Sequence, residues 1–258
     1  MKDREEVLEI IQQLNIIDDT LFQKMAEDID FCEEMISTIL ERTVKILQVI
    51  PQNSIKNLQG RSVILDALCE MEDGGVVNIE VQKSDDDSHI KRVRYNTSCI
   101  TANITDTGTK FEFVPDVIGI YISKFDVFKM GKTVYHIDRV IRENGEIQHN
   151  GLQEIYVNAK VNDGSDIADL MSIFINPEKY DFKKFPKISK RKKQFKENEG
   201  DLTMCDLVEN YANKKAKERD METAIRLFQN GVSYELVRAS ILSLSDDELQ
   251  KLYNDSSK

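Results

Sequence analysis

Residues 61–82, RSVILDALCEMEDGGVVNIEVQ, hold two runs of period two on either side of a turn. Val63, Leu65, Ala67 and Cys69 alternate with Ser62, Ile64, Asp66 and Leu68, and Val76 to Gln82 alternates again. Successive side chains of a β-strand leave opposite faces, so this pattern predicts strands. Between them, Glu72-Asp73-Gly74-Gly75 supplies turn residues, and the stretch predicts an antiparallel hairpin. A turn centred on Asp73 sets Asp66 opposite Glu80, with both side chains on one face. Directly opposed Cβ atoms lie about 4.5–5.5 Å apart. Two carboxylates at that separation repel, and a divalent cation between them removes the penalty. Gln82 shares the face of Glu80, whereas Val77, Ile79 and Val81 point to the opposite, apolar side.

Upstream, Asp30-Phe31-Cys32-Glu33 has the form of a capping box, and Ile36, Ile39, Leu40, Thr43 and Leu47 follow at helical spacing. That predicts a helix closed by Pro51. Downstream, Ser88 is placed to cap a helix with Ile90, Val93, Thr97 and Ile100 on its apolar side. Val117 to Ile122 is almost continuously apolar, as in a central strand covered on both faces. Lys132 to Ile141 and Ile147 to Val157 predict two more strands, with Asn144-Gly145 as a tight turn between them. Ser165 to Ile175 predicts a short helix ended by Asn176-Pro177. From about Asp201 the chain reads as helical: a long helix to Asn230, stopped by Gly231, then two short ones. No internal repeat is present.

At 258 residues and 40% hydrophobic content, one large domain with a small appendage is expected. No apolar stretch approaches the roughly 20 residues that span a bilayer. The first residues lack the apolar core of a signal peptide, so the expectation is a cytoplasmic protein with no membrane partner. Cys32, Cys69, Cys99 and Cys205 form no CxxC pair and have no histidine at ligand spacing, which argues for free thiols over structural zinc. Nothing places any of the three histidines beside a nucleophile. A net charge of −11 argues against non-specific coating of nucleic acid. The charge is uneven, however, with nine basic residues from Lys179 to Lys196 against one acid, Asp181. Lys183, Lys184, Lys190, Arg191, Lys192 and Lys193 are candidate phosphate contacts; otherwise the segment is a solvated linker. The expected domains are therefore 1–178, a basic linker 179–200, and a helical region 201–258. Ser233 to Leu249 has the outline of half a helix-turn-helix, but Asp246, Asp247 and Glu248 stand where a recognition helix meets phosphates. Packing or oligomerisation fits that region better.

Leu65-Asp66, followed after the hairpin by Glu80-Val81-Gln82, resembles the PD-(D/E)XK motif. The form is that of the PD-(D/E)XK nuclease family transposases and recombination-promoting nucleases, in which the final Lys is often Gln. Arg92-Val93-Arg94-Tyr95, Val114-Pro115-Asp116-Val117 and Phe125-Asp126-Val127-Phe128 are similar to further blocks of the same family. The resemblance runs from about Asp18 to Val140. It implies an α/β fold of the restriction-endonuclease type: a mixed central sheet of about four strands flanked by helices, here with a helical C-terminal extension. It also implies Mg²⁺ (or Mn²⁺) and cleavage of DNA. Asp66, Glu80 and the backbone carbonyl of Val81 are then the metal ligands, and Gln82 stands at the remaining catalytic position. Glu41 on the preceding helix is a candidate accessory acid; Lys91, Arg94 and Tyr95 on the following helix are candidates to reach in. Gln82 brings no charge, and strand alternation turns Lys83 to the other face. Three functions follow: a metal-dependent endonuclease of mobile elements or recombination; a weakened nuclease-fold protein that binds DNA or a protein partner; or a structural protein acting as a homo-oligomer.

Overall fold

The hairpin forms in the expected register, Ala67 opposite Ile79 and Cys69 opposite Val77, and supplies two strands of a larger sheet. The computed structural model describes residues 11–56, 61–85, 88–197 and 202–256, which divide into two compact units after Glu199. In the first unit, helices α1 (Asp19–Met25) and α2 (Ile29–Ile39) precede strands β1 (Ile46–Ile55), β2 (Val63–Met71) and β3 (Val76–Gln82). Helix α3 (His89–Ile104) leads to β4 (Val117–Ser123), β5 (Val134–Ile137), β6 (Arg139–Val140), β7 (Ile147–Gln148) and β8 (Leu152–Asn158). Helices α4 (Asp166–Ile175) and α5 (Pro186–Glu197) complete it. The main sheet has six strands in the order β1-β2-β3-β4-β8-β5, more than the four expected, and β6 and β7 form a separate ribbon. β3, β4 and β8 run parallel, and the outer pairings are antiparallel.

β3 and β4 lie at the middle of this sheet, and every residue of β4 is buried, as its apolar run requires. The parallel β3–β4 pairing needs a crossover, which α3 supplies. Gly119 lets that helix approach closely: a Cβ there would lie 2.9 Å from Thr97 Cγ2. On the opposite face α1 and α2 pack against the sheet, α4 and α5 pack against α2, and Phe31 stacks on Phe174.

Two regions differ from the sequence reading. The helix expected to run to Pro51 ends at Ile39, and 46–55 is an edge strand containing Pro51. The stop is a Schellman motif: Arg42 N–H bonds Ser37 C=O, Glu41 N–H bonds Thr38 C=O, and Glu41 takes φ 50°. A glutamate where glycine is usual hides that signal, and proline is tolerated on a sheet edge. The N-cap is Asp28, whose side chain accepts from the N–H groups of Asp30 and Phe31, rather than Asp30.

The segment expected to be a basic linker contains α5, docked on α2. Glu34 accepts from the N–H groups of Lys187 and Ile188, capping the first turn of α5. Lys187 pairs with Asp30 and Glu33, and Lys184 with Asp166 and Asp169. Lys192 and Lys196, one turn apart, are buried. The Lys192 ammonium donates to the carbonyls of Ile173, Asn176 and Lys179 at the end of α4. That of Lys196 donates to Ile11, Gln12 and Leu14, around the helical residues 11–13. Both lysines therefore satisfy carbonyls left open where helices end.

The second unit contains α6 (Leu202–Gln229), α7 (Tyr234–Ser240) and α8 (Asp246–Ser256). Gly231, at φ 78°, follows the end of α6. Ala224, Phe228, Val237, Ile241, Leu244 and Leu249 form its core. Ser245 and Glu248 make a reciprocal capping box at the start of α8. Among the described residues no helix is long and apolar enough to cross a membrane.

Candidate metal centre

The β2–β3 ladder stops at Ala67 and Ile79, one pair short of Asp66 and Glu80. Beyond that point β3 continues beside β4 as far as Gln82. Where the ladder stops, the N–H of Val81 is taken up by the Asp66 carboxylate, Oδ2 at 2.9 Å. The N–H and C=O of a strand residue leave by the same edge. Gln82 C=O accepts from Lys124 N on the β4 side, so the Val81 carbonyl leaves toward Asp66. Asp66, Glu80 and Val81 thus meet at one end of the sheet, in a cleft of about 640 Å³.

Glu80 is only 7% exposed. Its Oε1 accepts from Asn78 Nδ2 at 3.1 Å and Asn96 Nδ2 at 3.2 Å. Oε2 has no hydrogen-bond partner among the described residues. Burial, and then the charge of Asp66, push the Glu80 carboxyl up to about 8, against the opposing pull of Asn78, Arg92 and Asn96. A buried carboxylate beside a second one is what a bound divalent cation stabilises. No group of three or more His, Cys, Asp or Glu side chains gathers among the described residues. Mg²⁺ does not need one, because it keeps several waters and binds through one or two carboxylates. Two carboxylates and a carbonyl are hard oxygen donors and fit Mg²⁺ or Mn²⁺.

Gln82 shares the face of Glu80, as alternation requires. Its Nε2 donates to Ser84 C=O, and its Oε1 accepts from Arg92 Nη1 at 3.0 Å. Lys83 turns away and pairs with Asp18. From α3, Lys91, Arg94 and Tyr95 line the cleft with Arg92 and Asn96, and Arg61 lines it from the strand side. Lys91 and Arg94 are exposed on the rim. Glu41 does not join them: it lies past the end of α2, exposed, and the acid that reaches the cleft from upstream is Asp19, at the start of α1. Of the basic run, Lys192 is buried on carbonyls, Lys184 and Lys193 are ion-paired, and Arg191 donates to Lys24 C=O. Lys183 and Lys190 are exposed.

Sequence reasoning missed Asn78, Asn96 and Arg92 as site residues. A polar Asn two positions before Glu80 on an otherwise apolar strand was the available signal for Asn78. Arg92 and Asn96 stand one helical turn apart, adjacent to the apolar stripe of Val93, Thr97 and Ile100. The Phe125-Asp126-Val127-Phe128 block is structural. Asp126 accepts from the N–H groups of Phe128, Lys129 and Gly131 and from Tyr135 Oη, and Phe128 packs on Tyr135 and Tyr156.

Comparison with curated proteins and with solved structures finds no match. A model of the PD-(D/E)XK nuclease family transposase matches residues 26–226, most of the chain, and the chain belongs to that family.

Proposed function

We propose that the protein is a metal-dependent endonuclease that hydrolyses phosphodiester bonds of DNA in the service of mobile elements or recombination. Asp66, Glu80 and the Val81 carbonyl would hold Mg²⁺ or Mn²⁺. The observation that carries this reading is Glu80: buried beside Asp66, its carboxylate is electrostatically incomplete without a cation. The metal, when bound, polarises the phosphate and lowers the pKa of a water. The chain does the rest. Asn78 and Asn96 fix the Glu80 carboxylate through Oε1. The Val81 N–H orients the Asp66 carboxylate. Arg61, Lys91 and Arg94 on the cleft wall supply positive charge for the DNA backbone.

The test is plasmid nicking by purified protein in Mg²⁺ or Mn²⁺, with EDTA as control. Asp66→Ala and Glu80→Ala are expected each to lower the rate by about 100-fold or more, with the fold retained by circular dichroism. Cleavage that survives both substitutions, or that persists in EDTA, overturns the assignment.

A further inference from the structure

Because the β2–β3 ladder stops at Ala67 and Ile79, the first residues of β2 pair with β1 alone, Ile64 opposite Ser54. Ile64 stands two positions before Asp66 on the same face of the strand, about 7 Å along it. Its side chain is 67% exposed and lines the cleft that holds Asp66 and Glu80. Val63 and Leu65, which leave by the other face, belong to the core. A single exposed isoleucine is ordinary on a protein surface. What sets Ile64 apart is its place, inside a polar cleft and one strand repeat from a carboxylate. Tyr95 of α3 packs against the core cluster of Ile55, Val63 and Leu65, and its hydroxyl donates to Arg61 C=O. That bond ties the helix to the start of β2 and holds this side of the cleft in shape. Arg61, Lys91 and Arg94 line the same cleft, are exposed, and make no ion pair among the described residues.

We propose that Ile64 receives the face of an unstacked base beside the scissile phosphate, so that the substrate of this cleft is DNA with unpaired nucleotides in preference to intact duplex. The inference rests on the nuclease reading above and names its substrate class. An intact duplex keeps the apolar faces of its bases stacked inside and presents phosphates, sugars and base edges. An unpaired strand exposes a base face at each nucleotide, and proteins meet it with apolar platforms set in a positively charged groove. The cleft has that composition: Ile64 supplies the apolar contact, and Arg61, Lys91 and Arg94 supply charge for the backbone on either side. Extruding a base from matched duplex costs stacking and pairing energy that a single strand or a mismatch has already lost. The preference therefore needs no reading of sequence.

Full-length wild type, Ile64→Thr and Ile64→Phe are compared on DNA of one sequence offered single-stranded, fully paired, or paired around a central bubble. Cleavage is followed in Mn²⁺, and binding by anisotropy in Ca²⁺. Wild type is expected to cut the single strand and the bubble about tenfold faster than the duplex. Thr keeps the β-branching that suits a strand and removes most of the apolar contact. Ile64→Thr is therefore expected to lose most of that ratio, the loss falling on the unpaired substrates. Ile64→Phe, which offers a larger apolar face, is expected to keep it. A wild-type ratio near one, or a faster duplex reaction, overturns the proposal and leaves the nuclease reading intact. So does an Ile64→Thr protein that slows on every substrate equally, which is the result of a merely structural role. If wild type cuts none of the substrates, the nuclease reading falls and binding decides the rest. Unpaired DNA held more tightly by wild type than by Ile64→Thr then supports the base contact, and equal binding overturns it.

Discussion

Glu80 sets the pH behaviour of the metal-free protein. In the unfolded chain its carboxyl titrates near 4.5, and in the fold it is pushed up to about 8. Between those values the folded state holds a proton that the unfolded state has released, so stability falls as pH rises through the window. A tenfold change in proton affinity corresponds to about 1.4 kcal/mol, and the effect amounts to a few kcal/mol. In EDTA, wild type is expected to unfold at lower urea at pH 8 than at pH 5, and Glu80→Gln to lose much of that dependence. Subtracting the two proteins removes the contribution of groups they share; identical pH profiles would clear Glu80 of responsibility. Under the proposed metal assignment, added Mn²⁺ is expected to oppose the decline, because a divalent cation binds the deprotonated carboxylate. The nearness of Asp66 and Glu80 was legible in the sequence because strand parity and the turn centre fix their shared face, although the ladder itself stops one pair before them. Asn78, Asn96 and Arg92 were not, since a neutral amide or a helical arginine carries no spacing of its own. Their roles exist only once α3 lies across β3.

At the level of elements, α5 shows how a charge run misleads. Lys183, Lys190 and Lys192 are alike in sequence, yet Lys183 and Lys190 are exposed and Lys192 is fully buried. Burial pushes Lys192 down to about 7 and Lys196 to about 8. Each ammonium nevertheless gives three N–H groups to three carbonyls, an arrangement that only the charged form completes. Lys192→Met keeps the apolar stem and strands those carbonyls in the interior. It is expected to cost about 2 kcal/mol or more, read as a shift in urea midpoint. Lys183→Ala and Lys190→Ala are expected to stay within about 0.5 kcal/mol. Equal midpoints for all three would refute the capping role. The i, i+4 spacing of Lys192 and Lys196 was visible in the sequence, but their carbonyl partners come from two other helices and were not. The hairpin and β4 were legible because period two and a continuous apolar run are local signals. β1 was lost because Glu41 ends α2 without a glycine and Pro51 sits inside a strand.

For the whole molecule, a net charge of −11 means that any attraction to DNA is local and works against the overall field. The cleft gathers Arg61, Lys91, Arg92 and Arg94 around the carboxylates. Each phosphate neutralised contributes about −0.9 to the slope of log affinity against log salt on duplex DNA. Four such contacts set a slope near −4, shallower if fewer engage. Anisotropy titrations with a labelled duplex in Ca²⁺, which occupies oxygen sites without requiring turnover, give that slope directly. Leaving out the cation is expected to weaken binding, because Asp66 and the ionised fraction of Glu80 then face the phosphates unshielded. Arg94→Ala is expected to make the slope less negative by about 1. Lys183→Ala/Lys190→Ala tests the remaining exposed charge of the basic run: an unchanged slope confines DNA contact to the cleft, and a shallower one extends the contact onto α5. A slope near zero in wild type, with or without Ca²⁺, would mean that the cleft's cations meet no phosphate backbone and would remove DNA as the ligand.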